Sequence, residues 1–127
     1  MSFRRRTTRL VGLAFATAAG ACDNPLGLFR GCDTYAAAGI VVALRDSASG
    51  RPWTDSVRVV ATDGAFADTA RHIGPEGNAA LAYERPGRYT VTVEAPGTRG
   101  WRREGVRVRK DGCHVQSTHL TALLQRR

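Results

Sequence analysis

Beyond residue 39 the chain alternates. In 88–95 the residues Tyr89, Val91, Val93 and Ala95 fall on one side of an extended chain, and Arg88, Thr90, Thr92 and Glu94 on the other, because successive strand side chains point to opposite faces. The same period of two sets Val57, Val59 and Ala61 against Arg58, Val60 and Thr62, and Val106 and Val108 against Arg107 and Arg109. Segment 39–45 (GIVVALR) is a nearly continuous β-branched run, which reads as a strand. Weaker strands at 65–70 and 79–83, a strand at 101–109 and a last one at 113–124 bring the set to seven. Turn residues separate them: Asp46 to Gly50, Asp63-Gly64, Gly74 to Asn78, Pro86-Gly87, Pro96-Gly97 and Asp111-Gly112. No segment carries a 3.6-residue apolar period, so no helix is expected in this region.

Seven short strands with turn signals at about ten-residue spacing predict an all-β fold, a seven-stranded antiparallel sandwich. Tyr89, Val91 and Val93 are its expected core, with the threonines between them facing water.

Particular stretches resemble a known family. The run 39–46, then Ser49-Gly50-Arg51-Pro52, then Val57-Arg58-Val59, is similar to the opening of carboxypeptidase regulatory-like domains, which read as a strand, an aspartate, a Gly-x-Pro turn and a second strand. Segment 85–97 (RPGRYTVTVEAPG) resembles that family's Gly-x-Tyr hairpin. The resemblance covers about residues 36–124, departing from the usual pattern at Trp53 and Thr98. It implies a transthyretin-like or immunoglobulin-like sandwich that is non-catalytic and occurs attached to peptidases, outer-membrane receptors and surface proteins.

The N-terminus has a different composition. Arg4, Arg5, Arg6 and Arg9 precede a 12-residue apolar run from Leu10 to Ala21, shorter than the roughly 20 residues that span a bilayer. A basic segment, a short apolar run and small residues before a cut site make a secretory signal peptide at residues 1–21. Ala19-Gly20-Ala21-Cys22 resembles a bacterial lipobox, with Ala19 where leucine is usual. Cysteine parity points the same way: if Cys22 carries lipid, Cys32 and Cys113 are left as an even pair, and an exported chain permits their disulfide. The alternative is a secreted or periplasmic soluble protein in which Cys22 is only the first mature residue. Residues 22–35 read as a tether with Asn24-Pro25 and Gly27, and 36–127 as the sandwich domain. Without residues 1–21 the net charge falls from +8 to +4, and Lys110 is the single lysine.

Little in the sequence suggests catalysis. His72, His114 and His119 are the histidines; five positions apart on one strand, the last two would face opposite ways, and nothing supplies the four ligands of a closed zinc site. Exposed strand histidines are the expectation. A nucleophile elbow, a metalloprotease helix motif and a phosphate-binding glycine loop are all missing from the sequence. No catalytic residue, metal or cofactor is therefore assigned. Trp53, Trp101, Arg102 and Arg103 form a candidate ligand patch for a glycan or peptide, and the basic run continues through Arg107, Arg109 and Lys110. The competing readings are core tryptophans, the commoner place in a domain this small, and the solvated face of an amphipathic strand.

The sequence thus predicts a non-catalytic cell-envelope lipoprotein with a structural or interaction role. Its expected partners are a membrane, through Cys22, and a protein or glycan, with no nucleic acid. The alternatives are a carbohydrate- or peptide-binding module using Trp53 and Trp101, or a secreted accessory domain of a peptidase or outer-membrane receptor.

Overall fold

The computed structural model describes residues 31–127; the expected signal peptide at 1–21 and Cys22 lie outside them. Eight strands follow in order: β1 (Ile40–Asp46), β2 (Arg58–Asp63), β3 (Phe66–Thr69), β4 (Asn78–Leu81), β5 (Gly87–Glu94), β6 (Trp101–Asp111), β7 (His114–Gln116) and β8 (Thr118–Leu124). Among the described residues there is no helix. A three-stranded sheet of order β4-β1-β8 and a five-stranded sheet of order β3-β2-β5-β6-β7 form a sandwich-like arrangement.

The period of two decides which side chains meet between the sheets. Ile40, Val42 and Leu44 of β1, Val59 and Ala61 of β2, and Tyr89, Val91 and Val93 of β5 are all buried, with Val106 and Val108 of β6 beside them. Burying a side chain of this size contributes about 1.5–3 kcal/mol before entropy is counted. The hydroxyl of Tyr89 is also accounted for. It donates to the Arg85 carbonyl at 2.7 Å and accepts from Arg85 Nη1 at 2.9 Å. That guanidinium in turn bonds Asp63 at 2.9 Å and lies 3.9 Å from the Phe66 ring centroid. A buried phenol therefore keeps the hydrogen bonds it would have made to water.

Two expectations are corrected. The predicted last strand, 113–124, is two strands: β7 pairs with β6 in the larger sheet, and β8 pairs with β1 in the smaller. The chain crosses between sheets at Ser117, whose hydroxyl donates to the Ala38 carbonyl at 2.6 Å. The sandwich is also not wholly antiparallel, because β8 runs parallel to β1 from Ile40↔Thr118 to Asp46↔Leu124. A parallel partner requires the chain to travel round before returning, and here β2 to β7 make that journey, β4 pairing with β1 and the other five forming the opposite sheet.

Gly39, just before β1, is fixed by crowding. A Cβ there would lie 2.6 Å from the Ala82 carbonyl oxygen and 2.9 Å from Val108 Cγ1. In β6 the register against β5 shifts between Tyr89 and Val91, next to Gly105 at φ 66°. This bulge changes the inward-facing parity of β6, so Trp101 and Arg103 share a face with Val93 and Val91, whereas Val106 pairs with Tyr89.

Val91→Ala is expected to cost about 1–3 kcal/mol through lost burial and a cavity. The double replacement Arg107→Ser, Arg109→Ser, on the water side, should change stability by no more than about 1 kcal/mol. Urea melts of both variants against wild type test the assigned register.

Candidate functional site

The most heavily fastened part of the domain is where its N-terminal segment joins it. Cys32 and Cys113 form a disulfide with Cα atoms 5.3 Å apart, closing a separation of 81 positions. The residue after each cysteine is brought to the same place. His114 Nε2 lies 2.7 Å from Asp33 Oδ1, and His114 Nδ1 lies 2.6 Å from Glu84 Oε1. Both ring nitrogens face carboxylate oxygens, which can only accept, so the geometry fits an imidazolium with a proton on each nitrogen. The Tyr35 ring meets the His114 ring edge-on at 6.2 Å.

Glu84 holds both sides of this junction. Besides His114, its carboxylate accepts from the Ala37 backbone N–H at 2.6 Å, and its own N–H donates to the Ala37 carbonyl at 3.0 Å. It reaches that position because the β4–β5 connection turns sharply, with Ala82 at φ 55° and Glu84 at φ 51°. Left-handed backbone is unfavourable for residues with a Cβ. The turn is held by Asp68 accepting from the Ala82 N–H at 2.7 Å, and by the Ala82 carbonyl accepting from Gly39 at 3.1 Å.

Charge follows from these contacts. The Ala37 N–H and then His114 hold the Glu84 carboxyl below its ordinary value of 4.5. Hydrogen bonds to Glu84 and Asp33 raise His114 above its ordinary value of 6.5. As an acid–base device the arrangement is closed, since neither imidazole nitrogen is left to take a proton from a hydroxyl or thiol. What it can do is clamp residues 32–37 to the β4–β5 connection and to β7.

His114 is therefore a half-buried ion-pair partner, not the exposed strand histidine expected. His72 is exposed at the rim of a cleft with Phe66, Asp68 and Tyr83. His119 is exposed on β8, opposite Val41. Among the described residues no group of three or more histidines, cysteines or acids is arranged to hold a metal ion.

The proposed ligand patch is dispersed. Trp53 is 3% exposed and belongs to the core, with the Arg126 guanidinium 4.6 Å from its ring centroid. It is drawn in because the turn after β1 folds back: Asp46 Oδ1 accepts from the N–H groups of Ala48 and Ser49, and the Trp53 N–H then reaches the Leu44 carbonyl at 3.0 Å. Its indole Nε1 is buried without a hydrogen-bond partner among the described residues. Arg126 is held above the ring by Asp46 and Asp55, at 3.2 and 3.1 Å. Trp101 is half-buried opposite Val93, with Arg103 5.6 Å from its ring centroid. Arg102 bonds Glu104 at 2.6 Å. Among the described residues no ring contact joins the two tryptophans, so they present no common stacking surface. A separate cleft of about 640 Å³ opens beside the β5–β6 turn, with Val57, Arg58, Pro96, Thr98 and Arg99 in its walls.

No protein-family model matches the chain, and no curated protein or solved structure gives a match.

Two outcomes test the clamp. Replacing Cys32 and Cys113 with serine should lower stability by about 2–4 kcal/mol in urea melts. The pH dependence has a worked sign. The raised His114 contributes fully below pH 6.5 and loses its contribution as pH rises through the folded-state value. The depressed Glu84 contributes above pH 4.5 and loses its share as pH falls through its folded-state value. The stability difference between wild type and His114→Gln should therefore be largest between these limits and shrink on both sides. A flat difference from acid to alkaline pH would remove the charged clamp.

Proposed function

We propose that this chain is an exported cell-envelope lipoprotein, anchored through Cys22, whose single sandwich domain has a structural or interaction role and no catalytic one. The domain is read as transthyretin-like, of the carboxypeptidase regulatory-like kind, on the strength of the segments 39–59 and 85–97. An extra strand from the division of 113–124 and one parallel pair are compatible with that reading, since both concern how the last segment returns to β1.

The observation that carries the proposal is the clamp at the junction. A disulfide, a histidine between two carboxylates and a backbone pairing of Glu84 with Ala37 all fasten residues 32–37, which include the last part of the proposed tether at 22–35. A free-standing domain has little need to brace its leading segment. A domain held to a membrane by that segment has every need, and an oxidising envelope compartment allows the disulfide that does it.

Intact-mass analysis of the mature protein is the direct test. The expected species begins at Cys22, carries acyl chains and lacks the two hydrogens of the Cys32 and Cys113 thiols. Stable anchoring needs two or more chains, one alone being marginal. Cys22→Ser should move the protein into the soluble fraction. Wild type found soluble and without acyl mass would overturn the anchor.

A further inference from the structure

We infer that Arg88, Arg107 and Arg109 on the outer face of the five-stranded sheet form a docking surface for an anionic lipid bilayer. The inference rests on the membrane-anchored reading for its geometry, but not for its chemistry.

The argument begins with a contrast among the arginines. Arg58, Arg85, Arg102 and Arg126 each have a carboxylate within ion-pair distance. Among the described residues Arg88, Arg107 and Arg109 have none, as is also true of Arg51, Arg71, Arg99, Arg103 and Arg127, but these three are exposed together on one face of β5 and β6. Arg88 and Arg107 are moreover directly opposite each other across the β5–β6 ladder. Like charges at such a position repel, and Thr90 and Thr92 further along β5 occupy the same face without that cost. Arg109 lies two residues further along β6, on the same side. Planar guanidiniums in such a row suit phosphate oxygens, which they bind in a forked arrangement. The acids at this end are already engaged: Asp111 with Gln116, and Asp33 with His114.

The second observation is where the row lies. Arg109 pairs with Gln116 and Asp111 with His114, so the row runs towards the β6–β7 turn, where Cys113 holds Cys32. Arg107 to Cys113 spans at most about 20 Å of strand. Ten residue steps separate Cys32 from Cys22, a reach of at most about 36 Å. A domain anchored at Cys22 therefore has the β6–β7 turn within that reach of the headgroups. A lipid anchor together with a basic surface is also a more stable attachment than either alone.

The test uses the exported Cys22→Ser chain, or wild type if that proves soluble, so that acylation contributes nothing. Co-sedimentation is measured with vesicles of equal parts phosphatidylcholine and phosphatidylglycerol, and with phosphatidylcholine alone. Binding to the anionic vesicles only, weakening as salt is raised, is expected. Replacing Arg88, Arg107 and Arg109 together with serine should lower the partition coefficient on the order of a hundredfold. The lysine triple at the same positions should keep most of the binding and confirm that the face folds. Serine at Arg51, Arg71 and Arg99, which removes equal charge elsewhere, should change it by less than about threefold. Equal losses in the two serine triples, equal binding to both vesicles, preference for duplex DNA over anionic vesicles, or no binding would each overturn the inference. Missing acyl mass with patch-dependent binding intact would instead sink the anchor and leave the docking surface standing.

Discussion

The pairing of the first strand with the last governs this domain. β1 lies in the middle of the three-stranded sheet, and its parallel partner β8 is the final strand of the chain. Ile40, Val42 and Leu44 cannot be enclosed until Ala122 and Leu124 arrive beside them and the intervening strands have built the opposite sheet. Contacts between residues so far apart in sequence make folding slow, because loop closure must precede the reward of burial. Cross-linking Cys32 to Cys113 holds the approach to β1 beside the turn that leads into β7 and β8, which shortens the search for this pairing.

The polar architecture serves the same closure. Residues 32–37 could have hung loose from the sandwich edge, yet they are gripped by Glu84 and His114, far away in sequence. Arg126 does comparable work at the other terminus, joining Asp46 and Asp55 and covering Trp53. Arg88, Arg107 and Arg109, which have no carboxylate partner among the described residues, are exposed on the ladder of β5 and β6. Paired charges thus fasten the fold at its two ends, while these three face outward along one sheet.

Much of the fold was legible in the sequence because a period of two is a local signal. Tyr89, Val91 and Val93 are buried as the alternation requires, and the cysteine parity led to the disulfide that is present. The break at Ser117 left a trace that was not used: the inward residues change from odd to even numbers between Val115 and Ala122, which no continuous strand allows. Trp53 was open to both a core and a ligand-contact reading, because its burial depends on a turn held by Asp46 and on an arginine at the far end of the chain. Glu84 gave no sign of its role, since the left-handed backbone that aims it has no local signature at Ala82 or Glu84. Asp33 and His114 could have been paired by a simple step. Each follows a cysteine, so the disulfide brings the two together.

The disulfide also decides how a pull on the tether travels. Tension arriving through Gly31 meets Cys32 first and passes through sulfur to Cys113, and so into the hairpin of β6 and β7. The stretch leading into β1 is left slack behind the cross-link. Its parallel ladder with β8, the seam that closes the sandwich, is spared direct shear when the N-terminal segment is pulled.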